Sequence, residues 1–344
     1  MTTSFRLGNR HVGRGHPPLV VPEIGINHEG SIAKAKRMVD DAARAGAEVV
    51  KFQTHSAHDE MIPNDVVPGN AAESIWDIIA RCTLTRDEER ELKRYTESKG
   101  MLYLSTPFSR EAADFLNEIG VCAFKIGSGE CNNLPLVKHI ASYGKPLIVS
   151  TGMNDMTSVA RTVEVLRGVG VPYALLHCTS LYPTPWTAVR LGSLAELKSA
   201  FPDAVVGLSD HTLTNHVAVA SVALGAAILE RHFTSDKGWP GPDIEISMSP
   251  RELEDLIRGS KNVFQALGGS KEILPEEQPT IAFAYASIVT TANISKGDTF
   301  SPQNLWVKRP GTGEFRAADY ELVLGKVASR DLPKDYLLKN SDIA

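Results

Sequence analysis

The chain has 344 residues, a formal net charge of −5 and 22% charged residues, which is an ordinary composition for a globular protein. The negative net charge argues against nucleic acid as a general partner, because such partners require a basic surface. A local cluster of Lys and Arg could still bind a phosphorylated or carboxylated small substrate. The length suits one large α/β domain plus a small one, or two medium domains.

The cysteines and the hydropathy pattern predict a cytoplasmic protein. The four cysteines are scattered and form no CxxC pair, which favours free thiols over disulfides or a zinc site. The polar start of the chain lacks the apolar core of a signal peptide. The longest apolar run, which begins at Val217, is too short to span a bilayer. We therefore expect no membrane partner.

The stretch from Val20 to His55 predicts a strand, a loop, a helix and a second strand. The helix is expected over Ser31–Ala45, where apolar side chains recur at helical spacing. Each strand ends in polar side chains, and a charge buried at a strand end is costly unless it is paired. The polar side chains at these two ends are Glu23, Asn27, His28, Lys51 and Gln53.

Six further apolar runs follow along the chain. They are MLYLSTPF, AFKIGSGE, PLIVSTGM, YALLHCTSLYP, AVVGLSDH and AAILERHF. Helices are predicted between them over Arg86–Lys99, Met156–Gly168 and Leu194–Ala200. Eight strands that alternate with helices predict an α/β protein with a parallel (β/α)8 TIM barrel. A doubly wound open sheet is the structural alternative.

Polar residues stand at the end of every predicted strand. Active sites of this barrel fold lie at the C-terminal ends of the strands, so these side chains should gather at one mouth. They include Glu23, Lys51, Thr106, Lys125, Ser128, Ser150, Tyr182, Ser209, His211, Glu230 and His232. The long gap over Ser56–Thr83 is predicted to be an extended loop that covers the substrate. A surface insertion is the alternative for this gap.

The pattern changes after the eighth strand. A segment rich in Pro and Glu is followed by short strands with turn residues. We predict an N-terminal tail over residues 1–17, the barrel over 18–270, a linker over 271–286 and a small, mostly β domain over 287–344. A domain of that size has a marginal core, so it should dock on the barrel or on a partner subunit.

Two histidines give the strongest metal signal. His211 and His232 end neighbouring strands, where two imidazoles can bind one divalent ion. Glu23 and Glu230 stand close by in the predicted barrel. A mixed nitrogen and oxygen site with few protein ligands favours Mn²⁺, Mg²⁺ or Co²⁺ over structural Zn²⁺. The alternative is that both histidines have structural roles in the core or at the surface.

Two lysines and several hydroxyls predict an anion site. Lys51 and Lys125, both at strand ends, would bind a ligand that carries phosphate and carboxylate groups. The hydroxyls come from Thr106, Ser128, Ser150 and Ser209. Three alternatives remain open: an ion pair of Lys51 with a barrel carboxylate, helix caps made by the hydroxyls, and a Schiff-base lysine.

Long motifs along the chain resemble the bacterial N-acetylneuraminate (sialic acid) synthase family. They include PEIGINHEGS, GAEVVKFQTH, KIGSGECNNLPL, LLHCTSLYPTP, GLSDHT and ALGAAILERHFT, and the C-terminal ISKGDTFSPQNLWVKRPGTGEF resembles an antifreeze-like (SAF) domain. The resemblance extends from about Val20 to Ile343. It implies the condensation of phosphoenolpyruvate with N-acetylmannosamine, which yields N-acetylneuraminate and phosphate. It also implies a domain-swapped homodimer.

The resemblance also implies roles for individual residues. Those that match the phosphoenolpyruvate site are Lys51, Thr106, Lys125, Ser128, Ser150 and Ser209. His211 and His232 match the ligands of a divalent metal, usually manganese, and Glu230 matches an active-site carboxylate. Those around the metal, its water or the sugar are Glu23, Gln53, Asn70, Ser180, Tyr182, Asp243 and Phe283. Arg309 matches an arginine that reaches the sugar of the partner subunit. Ser180 stands where close relatives often carry Asn.

Other readings of the sequence differ mainly in the sugar. The nearest alternative is a synthase for legionaminate or pseudaminate, which would use a diacetamido-trideoxy sugar. A metal-dependent 3-deoxy sugar acid synthase of the same fold is a second alternative, which the SAF-like segment disfavours. A non-catalytic sugar-phosphate binder should have lost at least one ionisable group of the site. All six are present: Glu23, Lys51, Lys125, His211, Glu230 and His232.

Overall fold

The computed structural model describes residues 3–344. The chain forms two compact units, the first ending at Gly268 and the second running from Gly269 to Ala344. In the described part of the chain, no helix is both long and apolar enough to cross a bilayer.

Eight parallel strands build the first unit and confirm the predicted barrel. They are β3 (Leu19–Gly25), β4 (Val49–Thr54), β5 (Leu102–Pro107), β6 (Phe124–Ile126), β7 (Leu147–Ser150), β8 (Tyr173–Cys178), β9 (Val205–Asp210) and β10 (Ile228–His232). Their order in the sheet is β5-β4-β3-β10-β9-β8-β7-β6. Strands β5 and β6, at the two ends of this order, lie side by side. The sheet therefore curves into a nearly closed barrel rather than an open, doubly wound sheet.

Helices connect the strands. They are α1 (Ile32–Arg44), α2 (Ala57–Glu60), α3 (Ile75–Cys82), α4 (Arg86–Ser98), α5 (Arg110–Glu118), α6 (Leu134–Ala141), α7 (Met156–Val169), α8 (Ser193–Ala200), α9 (His216–Ala223) and α10 (Pro250–Ala266). The four helices predicted from the sequence are α1, α4, α7 and α8, each within one residue of its predicted bounds. Side-chain caps explain three of these starts, since Ser31, Thr85 and Asp155 each accept a hydrogen bond from the first turn.

Side chains of the strands alternate between the outside and the inside of the barrel. On β3, Val20 and Ile24 pack in the layer beneath the helices, whereas Leu19 and Val21 pack in the interior cluster. The same period of two places Glu23 above Val21. Two residues after the apolar interior layer, the strands thus turn polar side chains inward: Glu23, Lys51, Thr106, Lys125, Ser150, Ser209 and Glu230. The barrel interior is apolar below and charged above.

A hairpin closes the lower end of the barrel. Strands β1 (Ser4–Leu7) and β2 (Arg10–Gly13) pair antiparallel within the segment predicted as a tail. Leu7 and Val12 are fully buried and belong to the same cluster as Leu19 and Val21. Alternating apolar residues around a Gly-Asn turn are the hairpin signal in this segment.

The long gap between β4 and α4 is more ordered than a plain loop. It contains α2 and α3, and α3 buries Ile78, Ile79 and Cys82. Ile78 and Cys82 pack against Ile26, which follows β3. The apolar spacing of Ile75, Ile78 and Ile79 is typical of an amphipathic helix, so the segment folds over the barrel mouth instead of remaining extended.

The second unit has its own small core. It begins with the segment predicted as a linker, in which Gln278–Ala284 forms α11. Strands β11 (Ser287–Thr290) and β12 (Leu305–Lys308) pair antiparallel, and the short helix α12 covers Tyr320–Val323. The buried core residues are Ile288, Ile294, Phe300, Leu305, Val323, Ala328, Leu332 and Leu338. This is the small, mostly β domain that the sequence predicts.

Candidate active site

Four buried charges meet at the mouth of the barrel. Lys51 forms ion pairs with Glu23 and with Glu230, whose Oε1 lies 3.7 Å from the Lys51 Nζ. The Nζ of Lys125 lies 3.6 Å from the same Glu230 oxygen. None of these four side chains is more than 8% exposed. Lys51 therefore forms the ion pair with barrel carboxylates that the sequence left open as an alternative. This ion pair lies among the residues of the predicted anion site.

The mutual contacts of these groups shift their pKa values. Burial raises the pKa of Glu23 to about 7; contact with Lys51 opposes this shift, and the like charge of Glu230 adds to it. Burial alone would lower the pKa of Lys51, but Glu23 and Glu230 outweigh it and the net direction is upward. Burial lowers the pKa of Lys125. Burial opposes ionisation of Glu230, but Lys125 and Lys51 outweigh it and lower that pKa.

Hydroxyl groups surround the two ammonium groups. Lys51 Nζ donates to Thr106 Oγ1 at 3.1 Å, and Lys125 Nζ donates to Ser150 Oγ at 2.7 Å. Ser209 Oγ donates to Glu230 Oε1 at 3.3 Å. Ser128 Oγ accepts a hydrogen bond from the backbone N–H of Gly152, just after the end of β7. The strand ends thus bring the predicted anion-site residues together.

Glycines keep two places open in this site, and the sequence analysis missed both. A Cβ on Gly152 would stand 2.3 Å from the Ser180 oxygen and 2.8 Å from the Ser128 oxygen. Gly25 has a φ of +54°, and a Cβ there would stand 3.1 Å from Glu23 Oε1. Larger residues would therefore collide with the polar groups of the site.

The two histidines lie side by side near these charges. The His211 and His232 ring centroids are 5.6 Å apart, and Tyr182 stacks on His211 at 4.2 Å. His211 Nδ1 donates to the Thr179 carbonyl at 2.9 Å, which leaves its Nε2 free to bind a ligand. Nδ1 of His232 is buried and has no hydrogen-bond partner in the described part of the chain.

This pair fits a divalent metal, but it cannot form a complete coordination sphere from protein groups. Burial lowers the pKa of His232 well below its usual range, which keeps the imidazole in the neutral, metal-binding form. Burial has the same effect at His211, but contacts with Cys178 and the Thr179 carbonyl outweigh it and raise the pKa. Among residues 3–344, no group of three or more His, Cys, Asp or Glu side chains could hold a metal ion. Water or substrate would have to supply the remaining ligands.

A cavity of about 280 Å³ opens beside His232. Asp243 lies at its edge, with Oδ2 at 3.8 Å from His232 Nδ1, and Asn70 donates to the Pro242 carbonyl at 3.1 Å. Burial raises the pKa of Asp243 to about 6. Much of the remaining wall is apolar: Ile26, Met61, Pro68, Ile75, Ile78, Ile79, Phe108 and Pro242. The sequence analysis missed these residues, although the apolar pattern of α3 could have indicated several of them.

Family comparisons agree with the fold and with the motifs. Residues 38–272 match the NeuB family, and residues 285–344 match the SAF domain. The chain belongs to the NeuB family. The resemblance inferred from the sequence motifs is thereby confirmed.

The relatives of this NeuB-family chain are named as synthases of different sugar acids. It is 38% identical to the N,N'-diacetyllegionaminic acid synthase of Campylobacter jejuni over 331 residues, which cover 93% of this chain and 98% of the relative. It is 34% identical to the human N-acetylneuraminate-9-phosphate synthase over 305 residues, 87% of this chain and 85% of the relative. The crystal structure of N-acetylneuraminic acid (sialic acid) synthetase from Leptospira borgpetersenii, in complex with citrate, superposes with a TM-score of 0.75 at 31% identity. It covers 82% of this chain and 96% of that one.

Most of the predicted site residues of the NeuB-family chain lie in the barrel unit, but two do not. Phe283 lies on α11 and Arg309 follows β12, so both belong to the second unit, where their side chains are exposed. Ser180 lies beside Gly152 in the first unit, close to Ser128. The barrel unit thus brings together the residues of the predicted anion site, the histidine pair and the cavity with Asn70 and Asp243.

His28, just after β3, should make the stability of this NeuB-family protein sensitive to acid. Burial, together with the nearby His55, lowers the pKa of His28 from 6.5 to about 4, and its Nδ1 accepts the Gly30 N–H at 3.1 Å. The native state therefore favours neutral His28, so its contribution to stability is complete above pH 6.5. It is lost as the pH falls through 4, by about 3 kcal/mol in total.

Urea unfolding at a series of pH values measures this effect. The matched control is His28→Asn, which keeps an acceptor for Gly30 but does not titrate. We expect the wild-type unfolding free energy to fall more steeply than that of the variant between pH 6.5 and 4. Equal slopes in the two proteins would contradict the assignment.

Proposed function

We propose that this protein is a metal-dependent N-acetylneuraminate synthase that condenses phosphoenolpyruvate with N-acetylmannosamine and releases phosphate. One observation carries the proposal: two buried ammonium groups, lined by hydroxyls, share a barrel mouth with a pair of imidazoles. An enol phosphate needs cationic and hydroxyl groups for its phosphate and carboxylate. A sugar aldehyde needs an electrophilic catalyst close to that anion. The names of the relatives support the same class of reaction.

The charges of the site can rearrange when the anion binds. Lys51 and Lys125 are paired with Glu23 and Glu230, so the phosphate and carboxylate of the ligand would replace part of that pairing. Because the pKa of Glu23 is about 7, its carboxylate can accept a proton near neutral pH during the reaction. The hydroxyls of Thr106 and Ser150 already contact the ammonium groups and would donate to the ligand oxygens.

We propose that His211 and His232 hold the divalent metal, most simply Mn²⁺, with Mg²⁺ or Co²⁺ as alternatives. The free Nε2 of His211 and the unpartnered Nδ1 of His232 support this assignment. When bound, the ion would supply Lewis-acid polarisation of the sugar aldehyde oxygen.

The chain's own residues would perform the remaining steps. Lys51 and Lys125 fix the phosphate and carboxylate so that the methylene carbon of phosphoenolpyruvate faces the aldehyde carbon, and a C–C bond forms between them. Glu23 accepts a proton from the water that adds to the cationic enol carbon. The C–O bond to phosphate then breaks, the proton of the added hydroxyl leaves with the phosphate, and the former enol carbon becomes a ketone carbonyl. The aldehyde oxygen takes up the proton that Glu23 had accepted and ends as a hydroxyl.

A diacetamido-trideoxy sugar is the second candidate substrate, and the cavity beside His232 supports it. Its apolar wall, which includes Ile75, Ile78 and Ile79, suits a methyl group better than a hydroxymethyl group. Each methyl-sized apolar contact is worth about 1 kcal/mol. The product would then be a legionaminate-type acid, made by the same chemistry.

A substrate panel tests the function and separates the two sugars. Purified protein is incubated with phosphoenolpyruvate, Mn²⁺ and either N-acetylmannosamine or 2,4-diacetamido-2,4,6-trideoxymannose, and phosphate release is measured. We expect phosphate release with N-acetylmannosamine to exceed release with the diacetamido sugar by about 10-fold or more, and the reverse order would select the second candidate. Phosphate release should stop when a chelator removes the metal. Absence of sugar-dependent phosphate release with both sugars would refute the function.

Lys125→Met should separate phosphoenolpyruvate binding from folding. The variant loses charge-assisted hydrogen bonds worth about 1.5–3 kcal/mol, so affinity for phosphoenolpyruvate should fall roughly 10- to 100-fold. Calorimetric titration without sugar measures the affinity, and the exposed Lys138→Met is the matched control. A Lys125→Met protein that is folded and binds phosphoenolpyruvate as tightly as the control would exclude Lys125 from the site.

We further propose a cytoplasmic, domain-swapped homodimer in which Arg309 and Phe283 of each subunit complete the partner's sugar site. Both side chains are exposed in the second unit, and the four free cysteines fit a reducing compartment.

Subunit mixing tests the swap. Lys125→Met and Arg309→Ala should each have low activity alone, whereas coexpression should restore about a quarter of the wild-type activity, since a mixed dimer holds one complete site. Activity no greater than that of the separate variants would show that Arg309 is not used across subunits.

A further inference from the structure

A line of side-chain contacts connects α2 to Glu23. Both carboxylate oxygens of Glu60 face Nδ1 of His55, at 2.9 and 3.0 Å. Nε2 of His55 lies 3.1 Å from Oε1 of Gln53, and Nε2 of Gln53 donates to Glu23 Oε1 at 3.3 Å. The side chains of His55 and Glu60 are only 4% and 5% exposed.

The hydrogens on the His55 ring and the orientation of the Gln53 amide depend on each other. A carboxylate only accepts, so Nδ1 of His55 carries a hydrogen toward Glu60. If Nε2 of His55 also carries a hydrogen, Gln53 must present its amide oxygen to His55 and its NH2 group to Glu23. If Nε2 carried no hydrogen, the flipped orientation of the Gln53 amide would be more stable, because its NH2 group could then donate to Nε2. The flipped amide would place its oxygen next to Glu23 Oε1. The orientation of the Gln53 amide therefore depends on a donor at His55 Nε2.

We propose that His55, whose ring Glu60 orients, is a positioning residue that locks the Gln53 amide so that its NH2 group holds the Glu23 carboxylate. This inference rests on the proposed function, in which Glu23 receives a proton from the attacking water. A carboxylate held by a fixed donor has one preferred orientation, so the lock would keep Glu23 aimed at the reacting carbon.

Packing around the pair supports a locked geometry. The His55 ring stacks on Phe108 with centroids 4.5 Å apart and an angle of 12°. Glu60 Oε2 accepts the backbone N–H of Ser56 at 3.2 Å. Asp59 Oδ2 accepts the backbone N–H of Glu111 at 3.1 Å, which ties α2 to the start of α5. The ring and its carboxylate are thus held on several sides.

The same residues line the cavity that would receive the sugar. Gln53, His55 and Glu60 share its wall with Asn70 and Asp243. The segment that forms the wall therefore also determines how the amide next to Glu23 points.

Two conservative substitutions separate a lock from a merely structural pair. The amide nitrogen of Gln can take the place of the imidazole Nε2, whereas the Asn amide takes the place of Nδ1. His55→Gln therefore keeps a donor toward Gln53, and His55→Asn keeps a donor toward Glu60 but loses the one toward Gln53. His58→Asn, at an exposed position on α2, is the matched control.

The steady-state rates of phosphate release for the three variants test the proposal, with kcat and both KM values measured. We expect His55→Asn to lower kcat by about 10-fold with the KM for phosphoenolpyruvate within about twofold. His55→Gln should retain most of the wild-type kcat, and His58→Asn should match the wild type. Equal losses in the Gln and Asn variants, or no loss in either, would overturn the lock.

Nuclear magnetic resonance of protein labelled with ¹⁵N at glutamine gives a readout that does not need activity. The side-chain amide signals of Gln53 should move in His55→Asn and stay close to the wild type in His55→Gln. Failure of the wild type to release phosphate with any sugar would refute the proposed function, while these amide signals would still decide the orientation. Unchanged Gln53 signals in His55→Asn would overturn the lock by themselves.

Discussion

The site depends on one constraint: two ammonium groups and two carboxylates are buried directly above an apolar barrel interior. Lys51, Lys125, Glu23 and Glu230 neutralise each other there, and removing one partner from such a group leaves an uncompensated charge that costs about 3–5 kcal/mol. The stability of the folded protein therefore requires all four charged side chains together. The hydroxyls of Thr106, Ser150 and Ser209 form further hydrogen bonds with the ammonium and carboxylate groups, beyond those of the ion pairs. Structure and proposed chemistry use the same groups.

Much of this arrangement could be predicted from local patterns. A parallel strand buried on both faces is a continuous apolar run, so Glu23, Lys51 and Lys125 are conspicuous at the ends of such runs. The period of two then places them on the same side as the interior layer, and the barrel closes that layer into a mouth. Helices α1, α7 and α8 were predictable for a similar reason, because their apolar spacing is regular, and the charged sequence of α4 also indicated a helix. Sequence reasoning works here because each signal lies within a few residues.

The features that were missed depend on contacts between distant segments or on backbone geometry. The sequence predicts a tail in place of the β1–β2 hairpin, because the few apolar residues of this segment are buried only against the barrel interior, which other segments build. The prolines and polar residues that precede α3 favour a loop, which conceals the helix in the sequence. The contact between His55 and Glu60 spans a turn that propensity does not define, and no pattern indicates that Gln53 links it to Glu23. Gly25 and Gly152 are recognisable only once their neighbours are known.

The site has two parts, the cluster of four charges and the cavity beside His232, and their origins suggest how one chemistry can serve several sugars. Strand ends supply the four charges, which cannot vary without leaving a buried charge unpaired. The connection between β4 and α4 supplies much of the cavity wall, including Ile75, Ile78 and Ile79. Apolar side chains in a helix can exchange for others at a cost of about 1–2 kcal/mol, so this wall can adapt to a different substituent while the anion site stays intact. Selectivity for the sugar would then lie mainly in the β4–α4 segment, and the condensation chemistry in the barrel strands.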